Sequence, residues 1–315
     1  MIVITLGGNA ILPGNGRGTI QEQIAVAQRA MTGVADLIAA DRPVVLSHGN
    51  GPIVGNIVVR NEAARDRIPP MPLDVCGADS QGGIGYMIQQ VLRNELAARG
   101  VRRTVVSLVT QCVVNGDDPA FSRPTKPIGP FYSGEEAAQL AREKGWAMIE
   151  DSGRGHRRVV PSPRPVEIVE WEAIRALSRA GIVVIAAGGG GVPVVRNPDG
   201  SLTGVEAVID KDRASAVLAE QLEAEQLVVL TQVDRVALDF GQPGERPLDR
   251  LTTEEARRHL ADGQFPPGSM GPKIEAVVEV LERGGHEAII TSPDRLGAAV
   301  AGRAGTRLVP ATARA

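Results

Sequence analysis

The feature that most limits what this 315-residue chain can fold into is a rhythm of short apolar runs alternating with longer segments apolar at helical spacing. Ile2–Leu6, Val44–Leu46, Thr104–Val109, Ile182–Ala187 and Leu227–Thr231 are rich in β-branched and aliphatic residues, with shorter versions at Ala288–Thr291 and Arg307–Val309. Runs that do not alternate polar with apolar belong to strands buried on both faces. Between them, Ile20, Ile24, Ala27, Met31, Val34 and Ile38 form a helical stripe, opened by a Thr19/Glu22 capping-box signature. Further helices are expected over Ser80–Arg99, Trp171–Ala180, Arg213–Glu220, Thr252–Leu260 and Pro272–Arg283. Strands alternating with helices predict an α/β fold with a mainly parallel sheet covered on both faces.

The stretch from Gly116 to Pro165 interrupts that rhythm with prolines, a capped helix from Ser133 to Lys144, and short β-like pieces at Trp146–Ile149 and Val159–Val160. Phe121, Phe131, Tyr132 and Trp146 give it an apolar nucleus, so it reads as an inserted subdomain or lid.

Glycine loops follow three of the strands: Gly7-Gly8-Asn9, Gly49-Asn50-Gly51 and Gly188-Gly189-Gly190-Gly191. Ligands of open parallel sheets sit beyond the carboxyl ends of strands, and glycine lets backbone N–H groups approach a phosphate closely. Any one loop could be a tight turn; three at equivalent places indicate an anion site. No Gly-Lys dipeptide and no G-x-G-x-x-G occurs, which excludes a Walker loop and the ordinary dinucleotide fingerprint.

Of 34 basic residues only four are lysine, Lys126, Lys144, Lys211 and Lys273. A chain that otherwise uses arginine keeps lysine where a compact ammonium is needed. Lys211 lies in Asp210-Lys211-Asp212 before a helix, Lys273 at another helix start, and Lys126 between prolines on the insert. Read singly, each could be a solvated surface charge; together they suit phosphoryl transfer, which asks for cations around the moving group and no nucleophile. Lys144, late in a polar helix, reads as surface, and His48 as a support beside its glycine loop. The net charge of -3 disfavours nucleic acid as a partner, no apolar run reaches the ~20 residues of a membrane span, and Met1–Leu6 reads as a strand rather than a leader. Cys76 and Cys112 read as buried reduced thiols, so a cytoplasmic setting is expected.

The segments LGGNAIL, SHGNGP, MPLDVCGADSQGGIGYMIQ, PTKPIGPF, DSGRGHRRVVPSPRP, GGGGVPVV, GVEAVIDKDRAS, LVVLTQVDRV, PGSMGPKIEA and AIITS occur in this order from near the start to about Ser292. Together they resemble the carbamate kinase family of the amino-acid-kinase fold. The resemblance implies a three-layer αβα sandwich with an open sheet of about eight strands, a protruding subdomain at 116–165, a substrate-binding part (1–205) and a nucleotide-binding part (206–315). It implies transfer between carbamoyl phosphate and ADP, giving ATP and carbamate, with Mg2+ held by the nucleotide phosphates rather than by the protein. It further implies a homodimer and a place in arginine or carbamoyl phosphate breakdown.

By the same resemblance Lys126, Lys211, Lys273 and Asp210 are catalytic, with Asp210 organising the lysines. Gly7, Gly8, Asn9, Gly49, Asn50, Gly51, Gly188 and Gly189 would bind substrate or phosphate, and Thr231, Val233 and Met270 would join Lys211 and Lys273 at the nucleotide. Thr5 stands where N-acetylglutamate kinases carry a lysine, with Lys126 as the replacement cation. Asp79, Gln232 and Arg235 depart from the family pattern. A sister kinase of another small carboxylate, or a non-catalytic nucleotide sensor on the same scaffold, remain the alternatives.

Overall fold

A computed structural model describes residues 1–8, 18–151, 153–266 and 269–311. The first half runs β1 (Ile2–Leu6), α1 (Ile20–Ala39), β2 (Val44–His48), α2 (Ile53–Ala63), α3 (Leu73–Ala98), β3 (Val105–Ser107) and β4 (Gln111–Val114). The insert follows with β5 (Lys126–Tyr132), α4 (Gly134–Lys144), β6 (Met148–Glu150) and β7 (His156–Val160). Next come β8 (Pro165–Ile168), α5 (Trp171–Arg179), β9 (Val183–Ile185), β10 (Val192–Arg196), β11 (Leu202–Gly204), α6 (Lys211–Gln221) and β12 (Gln226–Leu230). The chain closes with β13 (Ala237–Leu238), β14 (Arg246–Pro247), β15 (Arg250–Thr252), α7 (Thr253–Ala261), α8 (Met270–Glu282), β16 (Ala288–Thr291), α9 (Leu296–Val300) and β17 (Thr306–Val309).

Eight strands form the main sheet in the order β15-β17-β16-β12-β1-β2-β9-β3. Every pairing in it is parallel except β16 with β17. β1 lies near the middle, with all five residues buried. Its side chains alternate between two cores. Ile2, Ile4 and Leu6 pack with α1, α3 and α9, whereas Val3 packs with α6 and α8. That two-sided burial is why the strands read as continuous apolar runs, and it produces the expected three layers. The capping box at Thr19 is present: Glu22 Oε2 accepts from the Thr19 N–H at 2.8 Å, and Thr19 Oγ1 accepts from the Glu22 N–H.

Several elements differ from expectation. α3 starts at Leu73, seven residues before Ser80, because Pro72 supplies an extended entry and the glycines at 77, 82 and 83 sit in the helix without meeting a neighbour. α2 was hidden because its residues continue directly from a glycine loop with no side-chain cap. A second sheet, β11-β10-β4-β8, also lies outside the predicted set. The insert leaves and returns through it: β4 and β8 are antiparallel neighbours, with Val114 opposite Pro165. Between them, β5, β7 and β6 form a three-stranded sheet that carries α4. Among the described residues, no helix is long and apolar enough to cross a membrane.

Candidate active site

The site grows from the carboxyl ends of β1, β2, β9 and β12, which the parallel register aligns: Leu6 lies beside His48 and Leu230. Gly7 follows, pressed so close to strand β12 that an added Cβ would come within 2.9 Å of the Leu230 carbonyl. Gly8 opens onto free space. Asn9 lies outside the described residues.

The loop after β2 turns at Gly49, and a Cβ there would stand 2.9 Å from Lys211 Cδ, so the aliphatic stem of Lys211 rests on the bare glycine. The next residue, Asn50, reaches over the loop that follows β9. Gly189 adopts a left-handed backbone with φ of 65° directly beneath the Asn50 amide. Gly188 lies against the His48 ring in the same way. Both glycines are buried, so they seat His48 and Asn50 in place, and the open amide edge belongs to Gly8, with Gly51 exposed beside Asn50. Burial holds the His48 pKa down to about 4, although its hydrogen bond to the Gly49 carbonyl favours the charged ring. The imidazole is therefore neutral at ordinary pH, with Nδ1 2.9 Å from that carbonyl.

The N-terminus of α6 collects the charges. Asp210 is its N-cap, accepting from the Asp212 N–H at 2.9 Å, while its other oxygen accepts from Lys126 Nζ at 2.7 Å. Burial opposes the Asp210 carboxylate, but the charges of Lys126 and Lys211 outweigh it and hold the group well below the usual range. Asp210 therefore holds the insert's lysine rather than Lys211. Lys211 bonds instead to Asp212 Oδ1, and Lys273 Nζ lies 3.3 Å from Asp212 Oδ2. Asp212, with a side chain only 4% exposed, is the aspartate shared by both body lysines. The sequence displayed it within Asp210-Lys211-Asp212, but a capped helix start conceals which acid turns inward. Burial, followed by the nearby charge of Lys273, lowers the Lys211 pKa, while Asp212 and Asp210 resist that shift.

A cavity of about 780 Å3 opens on the far side of Lys211. All five residues expected at the nucleotide, Lys211, Thr231, Val233, Met270 and Lys273, line it together with Gly7 and Gly8. Gln232 and Arg235 line it as well. Two aromatic residues, Phe240 and Phe265, also line it; the sequence reading missed both, which stand just outside the LVVLTQVDRV and PGSMGPKIEA segments. Thr5 is fully buried, its hydroxyl without a partner among the described residues, inside the sheet rather than at the cavity wall. A cavity of this size, with two aromatic rings and two lysines in a mixed polar and apolar lining, can take a nucleotide.

The Amino acid kinase family model matches residues 1–292. The chain is 49% identical over 311 residues to the carbamate kinase of Thermococcus kodakarensis, covering 98% of each chain. Two solved structures of Giardia lamblia carbamate kinase, one bound to citric acid and one to AMP-PNP, superpose with TM-scores of 0.92 and 0.90. Their identities to this chain are 41% and 42%, with 98% of each chain covered. The chain therefore belongs to the amino acid kinase family and, within it, to the carbamate kinases.

Proposed function

We propose that this chain catalyses reversible phosphoryl transfer between carbamoyl phosphate and ADP. In the direction of ATP synthesis, a β-phosphate oxygen of ADP attacks the phosphorus of carbamoyl phosphate, the bond to the carbamate oxygen breaks, and carbamate leaves. No proton has to move, which suits a site without a nucleophilic side chain. The observation that carries the reading is the meeting of Lys126, Lys211 and Lys273 on Asp210 and Asp212, with Lys211 and Lys273 also lining the cavity. In this reading Lys211 and Lys273 stabilise charge on the transferring group, Asp212 fixes them, and Lys126 meets carbamoyl phosphate beside Gly8, Gly49, Asn50 and Gly51.

Magnesium fits as a companion of the nucleotide phosphates. Asp210 and Asp212 are engaged by lysines, and among the described residues no three or more His, Cys, Asp or Glu side chains gather as metal ligands. When bound, the ion would neutralise phosphate charge that the lysines do not reach. A homodimer, a cytoplasmic setting and a role in arginine or carbamoyl phosphate breakdown accompany the same reading. The test is a coupled assay for ATP formed from ADP, magnesium and carbamoyl phosphate, run beside acetyl phosphate. Turnover should be specific to carbamoyl phosphate. Equal use of acetyl phosphate would favour a sister acyl-phosphate kinase, and no turnover with either donor would favour a nucleotide sensor.

A further inference from the structure

Three of the four lysines gather at the α6 N-terminus; the fourth, Lys144, lies elsewhere and is not the solvated charge its helix suggests. It ends α4 on the insert, yet its Nζ donates to Glu62 Oε2 of α2 at 2.5 Å, with the two side chains only 23% and 21% exposed. The same ammonium stands 5.0 Å from the centre of the Trp146 ring, and the Arg158 guanidinium lies 4.4 Å from it. Trp146 packs in turn against the cluster of Val54, Val58, Cys76, Ile128 and Val160, which joins α2 and α3 to the insert.

We propose that Glu62, Lys144 and Trp146 form a latch that holds the insert down on α2 and so positions Lys126 at the phosphoryl-transfer site. The path is short. Arg158, on the ring, is paired with Ile128, and Val160, two residues on, is paired with Lys126. Nearby, Gly55 of α2 admits the insert so closely that a Cβ on it would fall 2.0 Å from Gly129 Cα. A register set that tightly on one side leaves Glu62 and Lys144 to control tilt on the other. Glu62 Oε2 also accepts from Arg65 at 3.2 Å, so the carboxylate has a second cation beside Lys144. The ammonium fits between one carboxylate and one ring face, where a guanidinium fork is wider.

The latch rests on the reading of Lys126 as a clamp on carbamoyl phosphate, and the two can be tested apart. Lys144→Met and Glu62→Gln remove charge while keeping side-chain bulk. Amide exchange across Lys126–Tyr132 should quicken about three- to tenfold in each, the loss expected of one partly buried ion pair. KM for carbamoyl phosphate should rise by a similar factor while KM for ADP stays within about twofold. The double variant should be no worse than either single one, and Lys144→Arg should recover part of the loss. Exchange at the wild-type rate, or a rise in both KM values together, overturns the latch. Faster exchange with an unchanged KM for carbamoyl phosphate overturns its positioning role. If Lys126→Ala also leaves that KM unchanged, the clamp reading is what has failed.

Discussion

The two halves of the cation set are held in opposite ways. Lys211 and Lys273 rise from the first turns of α6 and α8, helices packed on the main sheet, and share one nearly inaccessible carboxylate; their side chains are 13% and 18% exposed. Lys126 is 31% exposed and rides on β5 of the insert, which reaches the body through a small apolar cluster and a few ion pairs. A charge that must stabilise a fleeting transition state gains from being fixed before the reaction. A charge that must admit and release a small anion gains from being carried on a part that can lift. Under the proposed function, the body would serve turnover and the insert capture.

The widest gap between the halves should appear in turnover. In the proposed mechanism Lys211→Ala removes charge from beside the transferring group, and kcat should fall about 10^3-fold. Asp212 keeps Lys273 as a partner, so circular dichroism should show an intact fold. Near-normal kcat would break the comparison at its strongest point. Acid should separate the halves next. An unfolded chain protonates His48 near 6.5, but the buried ring resists until about 4. Its contribution to stability is therefore complete above pH 6.5 and declines as pH falls toward 4, by about 3 kcal/mol. Urea unfolding across that window should show the slope in the wild type and a flatter one in His48→Gln. The insert's tie outlasts it, because the Lys144 hydrogen bond holds Glu62 charged below the ordinary carboxylate range. The smallest of the three effects falls on the insert. Lys126→Ala should raise KM for carbamoyl phosphate about ten- to a hundredfold and change kcat less. A loss confined to kcat would place Lys126 with the body lysines instead.

The sheet was legible because strands buried on both faces leave unbroken β-branched runs; Ile2–Leu6 and Ala288–Thr291 fall where those runs do. The lysines were legible because arginine occupies the other 30 basic positions of the 34. Partners were not. The resemblance gave Asp210 the task of organising the lysines, but a helix start turns neighbouring side chains in different directions, so Asp210 faces Lys126 of the insert and Asp212 faces Lys211 and Lys273. Lys144 was misread for a related reason: α4 is polar around most of its surface, and only docking against α2 hides its last residue. Phe240 and Phe265 gave no signal because each lies just outside a recognised segment, and only the fold brings their two loops to one cavity.

The insert's departure through neighbouring antiparallel strands has an architectural consequence. Val114 and Pro165 face one another, so the chain resumes almost where it left off, and everything between them is a cassette plugged into one seam. A tight hairpin could rejoin the seam without moving any strand of the main sheet. Such a seam separates the two parts mechanically: changes of length or sequence inside the insert need not shift the register of the main sheet.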